Sequence, residues 1–471
     1  MNMNNTPELQ SSSYDQSKCD IGIIHFGLGG FHRAHQAFYI DQLMDETQDL
    51  SWGVAAVNIR AEDSDSFVHY MNNEDGYVLK TIDYNGQADY NLVRCHVNYT
   101  DYAQDEKAAL ELFALDTIEA ITITVTESGY YLNQDGALDH NHPLIAAEIA
   151  GEKAKTIYGV LRLALKTRLK ANAKPLTVLN CDNLRENGIV LSKNFTAYLK
   201  LIGDTDLIDW IEKNVSFPCS MVDRITPRPT EVLSKESETL FGRTKDMTVQ
   251  SEDFIQWVIE DNFAGKRPNL DEVGVTYTKN VFPYEEAKIR ILNAGHTSLC
   301  YLGVLKGYST FDELMGDEEL LDHFMQFQTK EVLPALDIDI PFDLEEYLQI
   351  IINRFKNVHI SDNLERICMD GFNKFPIFVL PTIKSCFKQG ITPAYGLKSI
   401  ASWYVFCLAI YNKKFDYHYV EPSWKTLEAM LAHENANLFI ENESLWGSLS
   451  TEYPEFKDII LDHIEGMKHY G

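Results

Sequence analysis

Ile21-Gly22-Ile23-Ile24-His25-Phe26-Gly27-Leu28-Gly29-Gly30-Phe31-His32 is the stretch on which the fold turns. Its first six residues are a nearly continuous apolar run, which predicts a strand buried on both faces, as in a parallel sheet. The Gly-x-Gly that follows lets backbone N–H groups approach a phosphate at the start of a helix. Position reinforces this, because a dinucleotide-binding domain carries its phosphate loop after the first strand. Gly27, Gly29, Gly30 and Phe31 are therefore candidate cofactor contacts. His32 stands where the usual fingerprint has its third glycine, so the loop taken alone leaves an ordinary strand–helix turn open.

Working outward, residues 52–59, 120–126 and 175–180 read as further strands, and 32–49, 108–115 and 143–171 as helical. Residues 77–83 and 90–97 have the alternation of an antiparallel hairpin around Asn85-Gly86. Strands alternating with helices predict an α/β, Rossmann-like doubly wound domain over 21–280. A polar tail is expected over 1–20. From residue 283 the periodicity is helical, at 283–305, 311–336, 343–355, 397–411, 423–433 and 453–469. Pro283 sits at a helix start, with Glu285 and Glu286 in the favourable first turn. A mostly α-helical second domain is expected over 281–471.

The whole chain has 471 residues, 45% hydrophobic and 24% charged, with a net charge of −29. Those fractions exclude a disordered or fibrous chain. Such an acidic surface repels phosphate backbones and anionic membranes, which argues against nucleic acid or lipid as partner. The first twenty residues lack a basic region followed by an apolar core, and no apolar run is long enough to span a bilayer. The 8 cysteines are scattered without a Cys-x-x-Cys pair, which fits reduced cytoplasmic thiols. A cytoplasmic protein without a metal site is expected; His25, His32 and His35 offer no ligand geometry at a strand–helix turn.

The candidate chemistry lies at strand ends and on one helix. After the second strand come Arg60, Glu62 and Asp63. An acid there binds a ribose diol and an arginine binds a 2′-phosphate; the reading favours Glu62 and NAD over NADP. Glu127, in Thr126-Glu127-Ser128-Gly129-Tyr130, and Asn183, in Asn180-Cys181-Asp182-Asn183, follow two other strands. Carboxyl ends of parallel strands face the ligand crevice, and an Asn there can stabilise a developing alkoxide. The helix from Pro283 carries Glu285, Lys288, Asn293 and His296. At ~100° per residue, with Lys288 at zero, Asn293 falls near ~140°, His296 near ~80° and Glu285 near ~60°. A Lys, an Asn and a His on one side make a proton-transfer site if the lysine is desolvated enough to act as base. Asn, Gly295 and His are poor helix formers, so their place mid-helix needs another reason.

With these pieces assembled, the chain resembles the polyol-specific long-chain dehydrogenases, the mannitol dehydrogenase family. The segments that carry the resemblance are GLGGFHRAHQAFY (27–39), TESGYY (126–131), CDNLRENG (181–188), MVDRITPRPT (221–230), EDFIQWVIED (252–261), EEAKIRILNAGHTSLCYLG (285–303) and DGFNKFPIFVLPT (370–382). The resemblance implies a metal-independent NAD(P)-dependent oxidoreductase, with the helical domain supplying substrate-binding and catalytic residues. It implies Lys288 as general acid/base, Asn183 and Asn293 on the reacting oxygen, and His296 beside them. Asp223, Arg366 and Lys374 would contact substrate hydroxyls, and Glu285 would serve Lys288 as a proton outlet. The first expectation is a polyol–ketose pair, D-mannitol plus NAD⁺ giving D-fructose plus NADH. A hexuronate reductase is the alternative in chemistry, and a silent dinucleotide-binding regulator the alternative in class. A monomer or small homo-oligomer is expected.

Overall fold

The computed structural model describes residues 7–72, 75–133, 135–171, 173–243, 247–414, 416–432 and 435–470. Residues 1–6, 433 and 471, which fall in the expected tail, a helix and the second domain, lie outside the described residues. The chain forms two compact units that divide between Phe282 and Pro283.

The first unit is built on six parallel strands: Ile21–Phe26, Gly53–Asn58, His96–Asp101, Ala120–Ile123, Leu176–Asn180 and Val215–Ser216. Numbered along the chain, they lie side by side in the order 3-2-1-4-5-6, the doubly wound dinucleotide-binding order. Successive residues of a strand point to opposite faces. Ile24, Ala55, Ile121 and Val178 pack on one face with Leu161, Leu165 and Phe195. Ile23, Val54, Ala120 and Leu179 pack on the other with Ile40, Leu43 and Trp257. Both faces are covered, which is why these strands read as unbroken apolar runs.

Several local expectations change. The supposed tail holds a strand, Leu9–Ser11, paired in parallel with Ala88–Val93, and Tyr14 is buried with its hydroxyl donating to Asp41. The hairpin is Tyr77–Ile82 with Ala88–Val93. Residues 96 and 97, read as its second arm, belong instead to the parallel sheet. The strand expected over 120–126 stops at Ile123, and Thr126 adopts a positive φ before a short turn of helix, Glu127–Tyr130. The long helix expected over 143–171 is two, Pro143–Ile149 and Ile157–Ala171. Gly151, at φ +94°, ends the first. Glu148 then accepts from the Lys155 and Thr156 amides and starts the second.

The second unit is helical around one core, in which Phe375 stacks on Trp403, Tyr301 lies tilted against Trp403, and Phe439 meets Trp403 and Trp446 edge to face. Its expected first helix is interrupted. Phe282–Ala287 is α-helical, Lys288–Asn293 is a π-helix, and Ala294–Leu305 is α-helical again. Two further π-helices, Phe327–Val332 and Phe375–Val379, pack against the first. Glu331, in the second, is buried; its two carboxylate oxygens accept from Tyr395 N at 2.6 Å and Gly396 N at 2.9 Å, at the start of Ala394–Tyr411. Among the described residues, no helix is long and apolar enough to cross a membrane.

Candidate active site

In the first unit, the glycine loop leaves the first strand at its carboxyl end. Gly27 has φ +100°, a region L side chains rarely adopt, and its N–H donates to Val57 O at 2.8 Å. A Cβ built at Gly27 or Gly29 meets nothing within 4 Å, so the backbone there is open to a ligand phosphate. The helix that follows, Gly30–Ala34, is short and breaks at His35 before Gln36–Thr47. His32 replaces the third glycine because its ring fills space beneath the loop. It stacks on His25 with centroids 3.4 Å apart, and its Nε2 lies 3.0 Å from His96 Nε2. Burial holds both His25 and His32 well below the ordinary imidazole range, so the stack is uncharged.

At the end of the second strand, Glu62 is exposed and bound by Arg60, at 2.7 Å from Nη2 and 3.0 Å from Nε. Asp63 lies 3.5 Å from Arg60 Nε. The three side chains leave the turn one negative charge in excess. Asn58 fixes the turn, donating to Arg60 O and accepting from Arg60 N.

Glu127 is exposed on the turn Glu127–Tyr130. That turn is held by a residue that the sequence reading did not single out, Asp182. Its buried carboxylate accepts from Val125 N at 3.0 Å, Thr126 N at 2.8 Å and the Tyr130 hydroxyl. Burial, against those hydrogen bonds, raises its pKa to about 6. The available signal was its place, two residues past the strand Leu176–Asn180. Asn183, the next residue along the chain, is exposed, and the segment after the strand is immobilised from below. Asn187 donates to Asp182 O at 3.0 Å and Ser220 O at 2.8 Å, and Asn180 Oδ1 accepts from Asp182 N at 2.9 Å. Asp223 is buried at the end of the strand Ser220–Asp223.

In the second unit, Lys288 and Asn293 open and close the π-helix Lys288–Asn293, and His296 follows in Ala294–Leu305. The α-helical projection that set Asn293 ~140° from Lys288 is therefore corrected. In i→i+5 bonding, seen where Ala294 N–H donates to Ile289 O, residue i+5 stands nearly above residue i. Lys288 and Glu285 are both buried. Asn293 Oδ1 and His296 Nε2 are buried without a hydrogen-bond partner among the described residues, although such atoms are normally paired. The His296 ring lies between Phe355, at 4.2 Å, and Phe311, at 4.6 Å. Burial first, then Arg366, Arg354 and Lys374, hold it well below its usual pKa, so it is neutral. Gly295 is present because a Cβ there would lie 2.8 Å from Phe324 Cε2 and 3.2 Å from Gln328 Nε2.

Arg366 and Lys374 already have partners. Both carboxylate oxygens of Asp362 receive the Arg366 guanidinium, and Lys374 Nζ donates to Ile367 O at 2.9 Å. Burial lowers the Lys374 pKa. Among the described residues, no group of three or more His, Cys, Asp or Glu is placed to hold a metal ion.

Comparison with known proteins joins the two halves. Residues 21–272 match the Mannitol dehydrogenase Rossmann domain and residues 280–467 the Mannitol dehydrogenase C-terminal domain. A D-arabinitol 4-dehydrogenase of Klebsiella pneumoniae is 36% identical over 434 residues, covering 91% of this chain and 94% of its own length. A polyol:NADP oxidoreductase of Gluconobacter oxydans is 34% identical, covering 90% of this chain and 88% of its own. The ternary complex of Pseudomonas fluorescens mannitol 2-dehydrogenase with NAD and D-mannitol superposes with a TM-score of 0.87 at 31% identity, over 98% of this chain and 94% of that one. With both domains matched in order along nearly all of its length, the chain belongs to the mannitol dehydrogenase family and is an oxidoreductase acting on the CH–OH groups of polyols.

Proposed function

We propose that this polyol dehydrogenase interconverts D-mannitol and D-fructose with NAD, using Lys288 as general acid/base. The observation that carries the reading is the pair of unpartnered buried atoms, Asn293 Oδ1 and His296 Nε2, the first at the end of the π-helix that bears Lys288 and the second in the α-helix that continues it. A neutral polyol offers hydroxyls to both. A carboxylate would need a free cation, and Arg366 and Lys374 are each already engaged, which counts against a hexuronate.

In oxidation, neutral Lys288 Nζ takes the proton of the secondary alcohol as general base. The Asn183 and Asn293 amides donate to the oxygen as charge develops on it. His296, held neutral, orients a neighbouring hydroxyl and leaves the proton to Lys288. Asp223 accepts from a substrate hydroxyl, and Glu285 relays the proton from Lys288 outward. The open glycine loop of Gly27, Gly29, Gly30 and Phe31 fits a dinucleotide pyrophosphate, and Glu127 would be a further coenzyme contact. The bound dinucleotide supplies the hydride acceptor. The excess negative charge at Arg60, Glu62 and Asp63 favours a ribose diol over a 2′-phosphate, hence NAD over NADP.

The likeness to the P. fluorescens enzyme, whose complex holds NAD and D-mannitol, supports the same assignment. D-Arabinitol is the second reading, favoured by the 36% identical relative. The purified chain is tested with NAD⁺ and NADP⁺ against mannitol, arabinitol, sorbitol, mannonate and altronate, following reduced-coenzyme absorbance. The highest kcat/KM is expected with mannitol and NAD⁺. Turnover on the acids alone would refute the reading, and no turnover with coenzyme still bound would favour a silent binder.

A further inference from the structure

The turn that carries Lys288 and Asn293 is wider than an α-helical turn, and its two neighbours owe the same width to a different cause. Pro334 follows Phe327–Val332, and Pro381 follows Phe375–Val379. A proline inside a helix has no N–H to donate and clashes with the carbonyl four residues back. Those carbonyls belong to Lys330 and Ile377, both inside the π segments. Widening the turn relieves each clash. Lys288–Asn293 is followed by Ala294, Gly295, His296, Thr297 and Ser298, with no proline to widen it. Since π-helices are rare and concentrate at functional sites, this one needs a support of its own.

The carbonyl of Ile291, inside the segment, is met from outside the helix by Gln328 Nε2–H at 2.9 Å. Gln328 lies in the second π segment, and both residues have 0% exposure. The other end of the amide, Oε1, is buried with no hydrogen-bond partner among the described residues. The amide is thus placed for its donor alone. Gly295 makes room for it, since a Cβ there would approach Nε2 to 3.2 Å. Arg290 anchors the same segment a second time, through Nε to Thr382 Oγ1 at 2.7 Å.

We propose that Gln328 is a positioning residue: its amide ties the Ile291 carbonyl to the neighbouring π segment and so holds the wide turn that keeps Lys288 and Asn293 on one side of the helix. The inference rests on the assignment of Lys288 and Asn293 to the reacting oxygen. Without the amide, the turn relaxes toward i→i+4 bonding. One residue of register is ~100° of rotation, and Asn293 swings away from Lys288.

The test uses the full-length chain, with Gln328→Leu, which keeps bulk and loses the donor, and Gln328→Glu, whose carboxyl donates only while protonated. For Gln328→Leu we expect kcat to fall about 10- to 100-fold, the scale of a small misplacement at a reacting centre, with coenzyme KM within about twofold. The pH at which kcat reports the base should also shift. Gln328→Glu should recover turnover at low pH and lose it as the carboxyl ionises, adding a descending limb to the profile. Near-normal kcat and an unchanged pH profile in Gln328→Leu, with only thermal stability reduced, would overturn the proposal. If that variant does not fold, a wild-type pH profile in Gln328→Glu overturns it equally. Lys288→Ala runs in the same panel. If it is inactive while both Gln328 variants behave as wild type, only the positioning role is refuted. If it retains turnover, the assignment of the site fails and the positioning role with it.

Discussion

Glu331 should make the stability of the second unit fall as pH rises from 5 to 8. The carboxyl is 1% exposed. Burial, opposed by the Tyr395 and Gly396 amides, pushes it from 4.5 up to about 7. A group whose native pKa lies above its unfolded value favours folding while both states are protonated, and that contribution is lost as pH climbs through the native value. At ~1.36 kcal/mol per pKa unit, the displacement is worth on the order of 3 kcal/mol in all, of which roughly 2–3 kcal/mol falls between pH 5 and 8. Glu331→Gln removes the ionisation and keeps one acceptor for the two amides, so its own cost is a constant offset. Urea unfolding of wild type and variant across pH 5–8, followed by tryptophan fluorescence, isolates the difference. The stability of wild type relative to the variant should decline by that amount. A difference that stays constant, or grows with pH, would show that Glu331 is ionised in the fold throughout.

Glu62→Lys frees Arg60 and turns the net charge of that turn from negative to positive; the NADP⁺/NAD⁺ ratio of kcat/KM should rise about tenfold or more, as a 2′-phosphate gains partners. An unchanged ratio would place the determinant elsewhere. Gly295→Ala forces a Cβ to 2.8 Å from Phe324 Cε2; overpacking of ~1–3 kcal/mol should outweigh the ~1 kcal/mol gained in helix propensity, read as a lower melting midpoint and a lower kcat. Asp182→Ala leaves three donors without their acceptor, at ~1–3 kcal/mol for each buried group unpaired; coenzyme KM should rise and the midpoint fall in the same variant.

The central sheet was legible because a strand covered on both faces cannot alternate: runs such as Val54 to Val57 and Ile121 to Ile123 have no other use in a folded chain. The break after Ile149 had a legible sign in Gly151, which the helical periodicity on either side outweighed. Leu9–Ser11 could not be read, since a three-residue strand with polar members has no pattern of its own. In the candidate site, Lys288, Asn293 and His296 were recognisable by type and spacing, but their arrangement was not. A π turn leaves no distinct hydrophobic period. Prolines mark Phe327–Val332 and Phe375–Val379, while Lys288–Asn293 depends on Gln328, whose contact is set only once the helices have packed. Asp182 was hidden for a similar reason: its three donors come from a segment more than fifty residues earlier.

The strand Leu9–Ser11 bears on how the protein can be handled. It lies outermost in its four-stranded sheet and closes the flank of Ala88–Val93. The matched dinucleotide domain begins only at residue 21, so a chain trimmed to that limit would lose it. Tyr90 to Leu92 would then present unpaired amides and carbonyls to solvent, an invitation to edge-to-edge association. Asp41 would lose the Tyr14 hydroxyl as well. The dispensable-looking leader is the selvedge of the sheet, and shortened proteins should begin before Leu9.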